Sequence, residues 1–353
     1  MARLRRADCS GPGFQRIRRG KGFSYLDEEG DPIDEADVVQ RIRELGIPPA
    51  WKQVWICPWS NGHIQATGMD VAGRKQYLYH QDWRRRRDAE KFDEMLSFAR
   101  ALPPLRERVA DDLKRGGDLT RERVLACAVR LLDRGFFRIG TEEYTVTNES
   151  FGLATMRKEH VTVEDGGVMV FDYPAKSGKR RIQAIVDPEV VDIVARLKRR
   201  RGGGEELLAF RARRRWQDLK SGDINDYLKE VTGAGYSAKD FRTWNATVLA
   251  ATALAVSGEV AGSQTGRKRA ISRAVKEVSY YLGNTPAVCR ASYIDPRVFD
   301  AYEGGLIIKP VLGGEAGESA DGDLPIHQRA VEEAVLDLID ERSSSPGIEK
   351  IAA

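Results

Sequence analysis

The 353-residue chain carries 57 lysines and arginines against 53 aspartates and glutamates, a net charge of +4, with 41% hydrophobic residues, 34 glycines and 14 prolines. Such a composition excludes a disordered or fibrous chain, and the length points to two domains. No apolar run reaches the roughly 18–20 residues that cross a bilayer, and no apolar stretch follows the basic N-terminus as a secretory signal requires. The four cysteines (Cys9, Cys57, Cys127, Cys289) are too scattered for a zinc pair or a disulfide framework, so a cytoplasmic protein is expected.

Residues 1–21 are rich in glycine and arginine and read as a basic flexible arm. Strands and turns follow. Phe23–Leu26 reads as a strand before the turn Asp-Glu-Glu-Gly-Asp. Val38, Val39, Ile42 and Leu45 have the spacing of a short amphipathic helix, stopped by Gly46 and Pro48. Trp51–Cys57, His63–Thr67 and Lys75–Tyr79 read as partner strands. Residues 22–88 are therefore expected to form a small β-rich domain.

From Ala89 the pattern becomes helical. Ala89–Leu102 and Leu105–Leu113 read as two helices separated by Pro103-Pro104. Arg121–Asp133 reads as a helix capped by Thr120 and closed by Gly135. Strands are expected at Val161–Glu164, Val168–Tyr173 and Arg181–Val186. Helices are expected at Pro188–Arg200, Ile224–Thr232, Thr243–Val256, Ala270–Leu282 and Pro286–Tyr293. Residues 89–303 thus form a mainly helical domain. Residues 304–353 read as an acidic linker and tail, with a short helix at Ile326–Ile339. The fold class is α+β.

The small net charge hides an uneven distribution. Residues 304–353 hold four basic and ten acidic side chains, which leaves the rest of the chain at +10. Basic clusters occur at Arg84–Arg87, Lys198–Arg201 and Arg211–Arg215. Singly, such runs are solvated helix faces. Together with the basic N-terminus they point to a nucleic-acid partner, since cations that neutralise phosphates release counterions.

Several site types are absent. His63, His80, His160 and His327 lack metal-ligand spacing, and there is no phosphate-binding P-loop and no G-x-S-x-G elbow. What remains are cations and a phenol at element boundaries. Arg138 follows a helix in an apolar setting, where a guanidinium needs either a ligand or an ion pair with Glu142 or Glu143. Lys176 lies in the turn Pro174-Ala-Lys-Ser-Gly-Lys179. Arg242 is expected at the start of an apolar helix, against the helix dipole, a placement that a bound anion would explain. Tyr293 follows Gly283-Asn-Thr-Pro in Ala291-Ser-Tyr-Ile-Asp295.

In this order the four resemble the catalytic set of type IB DNA topoisomerases, in particular the compact bacterial and poxvirus-like branch. The resemblance covers about Gly22 to Glu303. It implies a β-rich domain joined to a helical catalytic domain and an enzyme that clamps duplex DNA, preferably supercoiled, as a monomer. It also implies relaxation by transient single-strand cleavage, with no ATP, metal or other cofactor. By the same resemblance Tyr293 matches the nucleophile, which forms a 3′-phosphotyrosine. Arg138 and Arg242 match the arginines that stabilise the transition state. Lys176 matches the general acid, with Lys179 left open as its rival. Asn284 stands where many members have histidine, and amide chemistry allows it to act by hydrogen bonding rather than by proton transfer. Gln76, Tyr77 and Tyr79, in Gly73-Arg-Lys-Gln-Tyr-Leu-Tyr79, match DNA-contacting residues, and Tyr144 matches a phosphate contact. The rival readings are a tyrosine recombinase, whose N-terminal domain is normally all-helical, and a DNA-binding protein without catalysis in which Tyr293 is only a packing residue.

Overall fold

The computed structural model describes residues 3–115, 117–142, 145, 149–213, 215–258, 263–309 and 324–351. The chain divides into two compact units, Met1–Phe92 and Asp93–Ala353.

The first unit is built on an antiparallel five-stranded sheet. Its strands are β1 (Phe14–Arg19), β2 (Gly22–Leu26), β3 (Lys52–Ile56), β4 (Ile64–Met69) and β5 (Lys75–Tyr79), in the order β2-β1-β3-β4-β5. Helix α1 (Ala36–Glu44) packs Ile42 against Val54, Ile56 and Ala66 of the sheet. The alternation of β3, with Val54 and Ile56 buried, puts its apolar side chains on this face. The basic N-terminus is not the free arm expected over 1–21. Its second half is β1, paired with both β2 and β3. Its arginines serve as donors: Arg16 bonds the carbonyls of Ile47, Pro48 and Trp51, and Arg5 lies over the Trp59 ring at 3.4 Å.

Helix α2 (Gln81–Lys114) is continuous through Pro103 and Pro104, where two helices were expected. An interior proline costs about 3 kcal/mol. Burial of Phe98, Leu102, Leu105 and Val109 on both sides of the prolines offsets that cost. The division between the units falls within α2.

The second unit is mainly helical. Helix α3 (Arg121–Gly135) is capped by Thr120, which accepts from the Arg123 N–H. A three-stranded sheet follows, of β6 (Val161–Val163), β7 (Val168–Pro174) and β8 (Arg180–Val186). Next come α4 (Pro188–Arg199) and the hairpin of β9 (Ala209–Ala212) and β10 (Arg215–Asp218). The helices α5 (Ser221–Thr232), α6 (Ala238–Val256), α7 (Gln264–Leu282), α8 (Pro286–Ser292) and α9 (Pro296–Glu303) complete the helical layer. Trp244, Phe241, Phe98 and Phe137 are among its most deeply buried side chains.

The acidic C-terminal segment is part of this unit. Strand β11 (Leu306–Ile308) pairs with β12 (Ile348–Lys350), and α10 (Leu324–Ile339) lies between them in sequence. Val335, Leu338 and Ile339 of α10 are buried. Glu332, also buried, accepts two hydrogen bonds from Arg106 at 2.6 and 2.8 Å, and Asp133 of α3 accepts two more from the same guanidinium. At least part of the segment's negative charge is thus spent on structural ion pairs.

Candidate active site

Arg138 is presented by the end of α3. The left-handed residue that stops this helix is Phe136, with φ +52°, and not Gly135 as the sequence suggested. Gly135 is required for space: a Cβ there would come within 2.3 Å of the Phe137 ring and 2.6 Å of Ile185. Arg138 follows, half-buried, and donates to the Gly283 carbonyl at 3.2 Å and to Asn284 Oδ1. The Glu142 carboxylate instead accepts from the backbone and hydroxyl of Ser221. Glu143, the other expected ion-pair partner, lies outside the described residues.

Helix α6 starts at Ala238, several residues before the expected start, because Ser237 and Asp240 cap it: the Ser237 N–H donates to Asp240 Oδ2 at 2.8 Å. Arg242 therefore sits inside the helix rather than at its mouth, and the anion-at-helix-start reading is corrected. Its side chain is only 4% exposed. It donates to the carbonyls of Phe136 and, at 2.9 Å, Leu282. Burial, then the neighbouring charge of Arg138, pushes its pKa down to about 10, which still leaves a cation at neutral pH.

Tyr293 lies in the short joint between α8 and α9. Its N–H donates to the Cys289 carbonyl at 3.0 Å, and Thr247 of α6 donates to its carbonyl at 3.3 Å. The next two residues, Ile294 and Asp295, are fully buried, and Asp295 caps α9 and pairs with Arg297. The joint is therefore held on both sides. The Arg242 guanidinium lies 5.4 Å from the phenol ring centroid. Arg242 and Asn284 are the polar neighbours that act on the Tyr293 hydroxyl. Asn284 Oδ1 is taken by Arg138, which leaves its amide N–H₂ as the group able to donate to the phenol. Burial alone would raise the phenol's pKa. The Arg242 charge, the hydrogen bonds from Asn284 and Arg242, and the Arg138 charge outweigh it, and the pKa falls below the ordinary tyrosine value.

Arg138 and Asn284 open onto a cleft of about 690 Å³. Lys176 and Lys179 line it too, both exposed, from the turn between β7 and β8. Seven of its lining residues are basic and, among the described residues, none is acidic. The geometry admits both lysines equally. The sequence reading missed Arg134, Arg180, Arg181 and Lys276, which share the cleft. For Arg181 a signal existed: strand alternation places it on the face of Gln183 and buried Ile185.

In the first unit, Tyr77 and Tyr79 stack at 6.0 Å on the outer face of β5, about 40% exposed. Gln76 belongs to the opposite face and donates to Asp70 at 2.9 Å. Tyr79 also lines a cleft with Trp83, Arg84 and Arg87. Tyr144 lies outside the described residues.

Residues 80–303 match the family model described as "Eukaryotic DNA topoisomerase I, catalytic core", and residues 22–70 match "Bacterial DNA topoisomerase IB, N-terminal domain". The chain is 28% identical to DNA topoisomerase 1B of Acanthamoeba polyphaga mimivirus over 305 residues, 82% of this chain and 88% of that protein. It is 30% identical to DNA topoisomerase 1 of Schizosaccharomyces pombe over 161 residues, 45% of this chain and 19% of that protein. It is 23% identical to DNA topoisomerase 1 of Caenorhabditis elegans over 232 residues, 58% of this chain and 26% of that protein. The matched core spans well over half of the chain, and the chain belongs to the type IB DNA topoisomerases, with an N-terminal domain of the bacterial kind.

Proposed function

We propose that Tyr293 is the nucleophile of DNA strand cleavage, and that Arg138, Arg242, Asn284 and Lys176 act with it on one phosphodiester. The observation that carries this reading is the Tyr293 hydroxyl. The buried Arg242 guanidinium lies 5.4 Å from the Tyr293 ring centroid, and the Arg242 and Arg138 charges with the Asn284 amide lower the phenol's pKa. A free phenol ionises near pH 10 and is a weak nucleophile at neutral pH. The cationic surroundings raise the fraction of phenolate.

The phenolate oxygen attacks phosphorus, and the bond from phosphorus to the 5′-oxygen breaks. The leaving oxygen takes a proton from Lys176, giving a 3′-phosphotyrosine and a free 5′-hydroxyl. Negative charge grows on the non-bridging oxygens in the transition state, and Arg138 and Arg242 offer fork-shaped donors to it. The phosphotyrosine keeps the phosphodiester energy, so the 5′-hydroxyl religates the strand by the reverse step without ATP. Rotation of the free end between the two steps releases supercoils. Neither step calls for a metal ion. The basic cleft supports duplex DNA as substrate, and Tyr77 and Tyr79 offer it an aromatic contact in the first unit. We further propose that the enzyme acts as a monomer.

A match to the bacterial topoisomerase IB N-terminal domain favours this reading over a recombinase. The test uses negatively supercoiled plasmid, EDTA and no ATP. Wild type should relax the plasmid, and Tyr293→Phe should leave it supercoiled. Equal relaxation by the two proteins would overturn the assignment of the nucleophile.

A further inference from the structure

The C-terminal end of α7 is held by three arginines. The Tyr280 carbonyl accepts from Arg181 at 3.0 Å, and the Tyr281 carbonyl accepts from the same guanidinium. The Leu282 carbonyl accepts from Arg242 at 2.9 Å, and the Gly283 carbonyl from Arg138 at 3.2 Å. The last carbonyls of an α-helix have no partner within it. Here the carbonyls of Tyr280, Tyr281, Leu282 and the cap residue Gly283 are taken by guanidinium groups of three arginines, and that of Tyr280 also accepts from the Gly283 N–H at 3.2 Å. The helix end also carries about half a negative charge. That partial charge offsets the mutual repulsion of the arginines, which shows in the Arg138 charge depressing both Arg181 and Arg242. Gly283 has φ +62°, and a Cβ there would stand 3.1 Å from Arg181 Nη1.

Arg181 differs from the other two arginines in what it touches. Its two terminal nitrogens donate to the helix end, and its Nε donates to Gln183 Oε1 at 3.2 Å. Gln183 in turn donates to the Gly135 carbonyl at 2.7 Å, at the end of α3. Strand β8 therefore braces two helix ends: the one that leads to Arg138 and the one that leads to Asn284. We propose that Arg181 is a positioning residue of DNA cleavage. It acts through Asn284, by fixing the helix end from which the Asn284 amide holds Arg138 in the site. This inference rests on the roles proposed above for Tyr293 and Asn284.

The experiment is a double-mutant cycle of Arg181→Ala and Asn284→Ala, read as single-turnover formation of the covalent protein–DNA adduct at saturating enzyme. DNA affinity and melting temperature are measured for each variant. Arg181→Ala alone should slow adduct formation at saturating enzyme on the order of 10²-fold, the scale of a misplaced catalytic group, beyond any loss of DNA affinity from the missing charge. In the Asn284→Ala background the further loss should shrink to less than about 3-fold, since the group being positioned is gone. Arg181→Lys, which keeps a cation able to reach one carbonyl, should recover part of the rate. If Arg181→Ala does not fold, Arg181→Gln takes its place in the cycle. Equal losses in both backgrounds would overturn the inference, as would a normal rate in Asn284→Ala or a loss confined to DNA affinity. A covalent adduct formed by Tyr293→Phe would instead overturn the reading of the site itself.

Discussion

The Arg242 guanidinium lies 5.4 Å from the centre of the Tyr293 ring, from a position 4% exposed. A buried cation beside a phenol favours the phenolate more strongly than a solvated one, because the field is less screened. Arg242→Ala should therefore lower single-turnover cleavage by about 10²–10³-fold, the scale of losing one oxyanion donor. A rapid-quench measurement with and without added guanidinium checks it. Cleavage within 10-fold of wild type, as an order of magnitude, would contradict the role.

The pH dependence has a definite sign. The Tyr293 pKa lies below its ordinary value, so the reactive phenolate gains population at lower pH than in free tyrosine. Cleavage should rise with pH, with its midpoint below about 10. Asn284→Ala removes one of the hydrogen bonds that lower this pKa, and the rising limb should move to higher pH. A rate profile from neutral to alkaline pH for both proteins checks the direction. An unmoved limb would show that Asn284 does not act on the phenol.

Lys176 and Lys179 line the same cleft, and substrate chemistry can separate them. Lys176→Ala should slow cleavage of an ordinary phosphodiester by about 10²–10⁴-fold, the usual contribution of a general acid. A substrate with a 5′-bridging sulfur has a leaving group that needs little protonation, and it should restore the rate. Rescue in Lys179→Ala and not in Lys176→Ala would reverse the assignment.

The C-terminal segment should prove structural. Glu332 is buried against Arg106, whose remaining hydrogen bonds go to Asp133 of α3. Glu332→Ala removes one partner of a buried ion pair, which costs about 3–5 kcal/mol. Urea denaturation monitored by tryptophan fluorescence checks this. Removal of residues 304–353 should destabilise the second unit and not merely strengthen DNA binding through the loss of acidic charge.

Tyr77 and Tyr79 form an exposed aromatic pair remote in sequence from the catalytic set. Replacing both with alanine should weaken DNA binding while leaving the cleavage rate of saturated complexes near wild type. Fluorescence anisotropy and single-turnover cleavage together separate the two effects.

Much of the plan is local, and local physics was readable. Periodicity set the strands Lys75–Tyr79 and Phe23–Leu26, and the Thr120 cap marked the start of α3. Both depend on neighbours a few residues away. The candidate site was legible only through the order of Arg138, Lys176, Arg242 and Tyr293, which resembles that of the type IB enzymes. What the tertiary structure decided depends on contacts far apart in the chain. Arg181 meets the carbonyls of Tyr280 and Tyr281 from about a hundred residues away, and its role has no signature within its own strand beyond alternation. Phe136, not Gly135, takes the left-handed conformation because Gly135 is needed for close packing against Phe137 and Ile185. The two prolines of α2 stay helical because burial on both sides offsets their local cost. Helix α10 of the acidic tail is held because Val335, Leu338 and Ile339 are buried and because Glu332 meets Arg106, more than two hundred positions earlier, contacts that composition alone does not show.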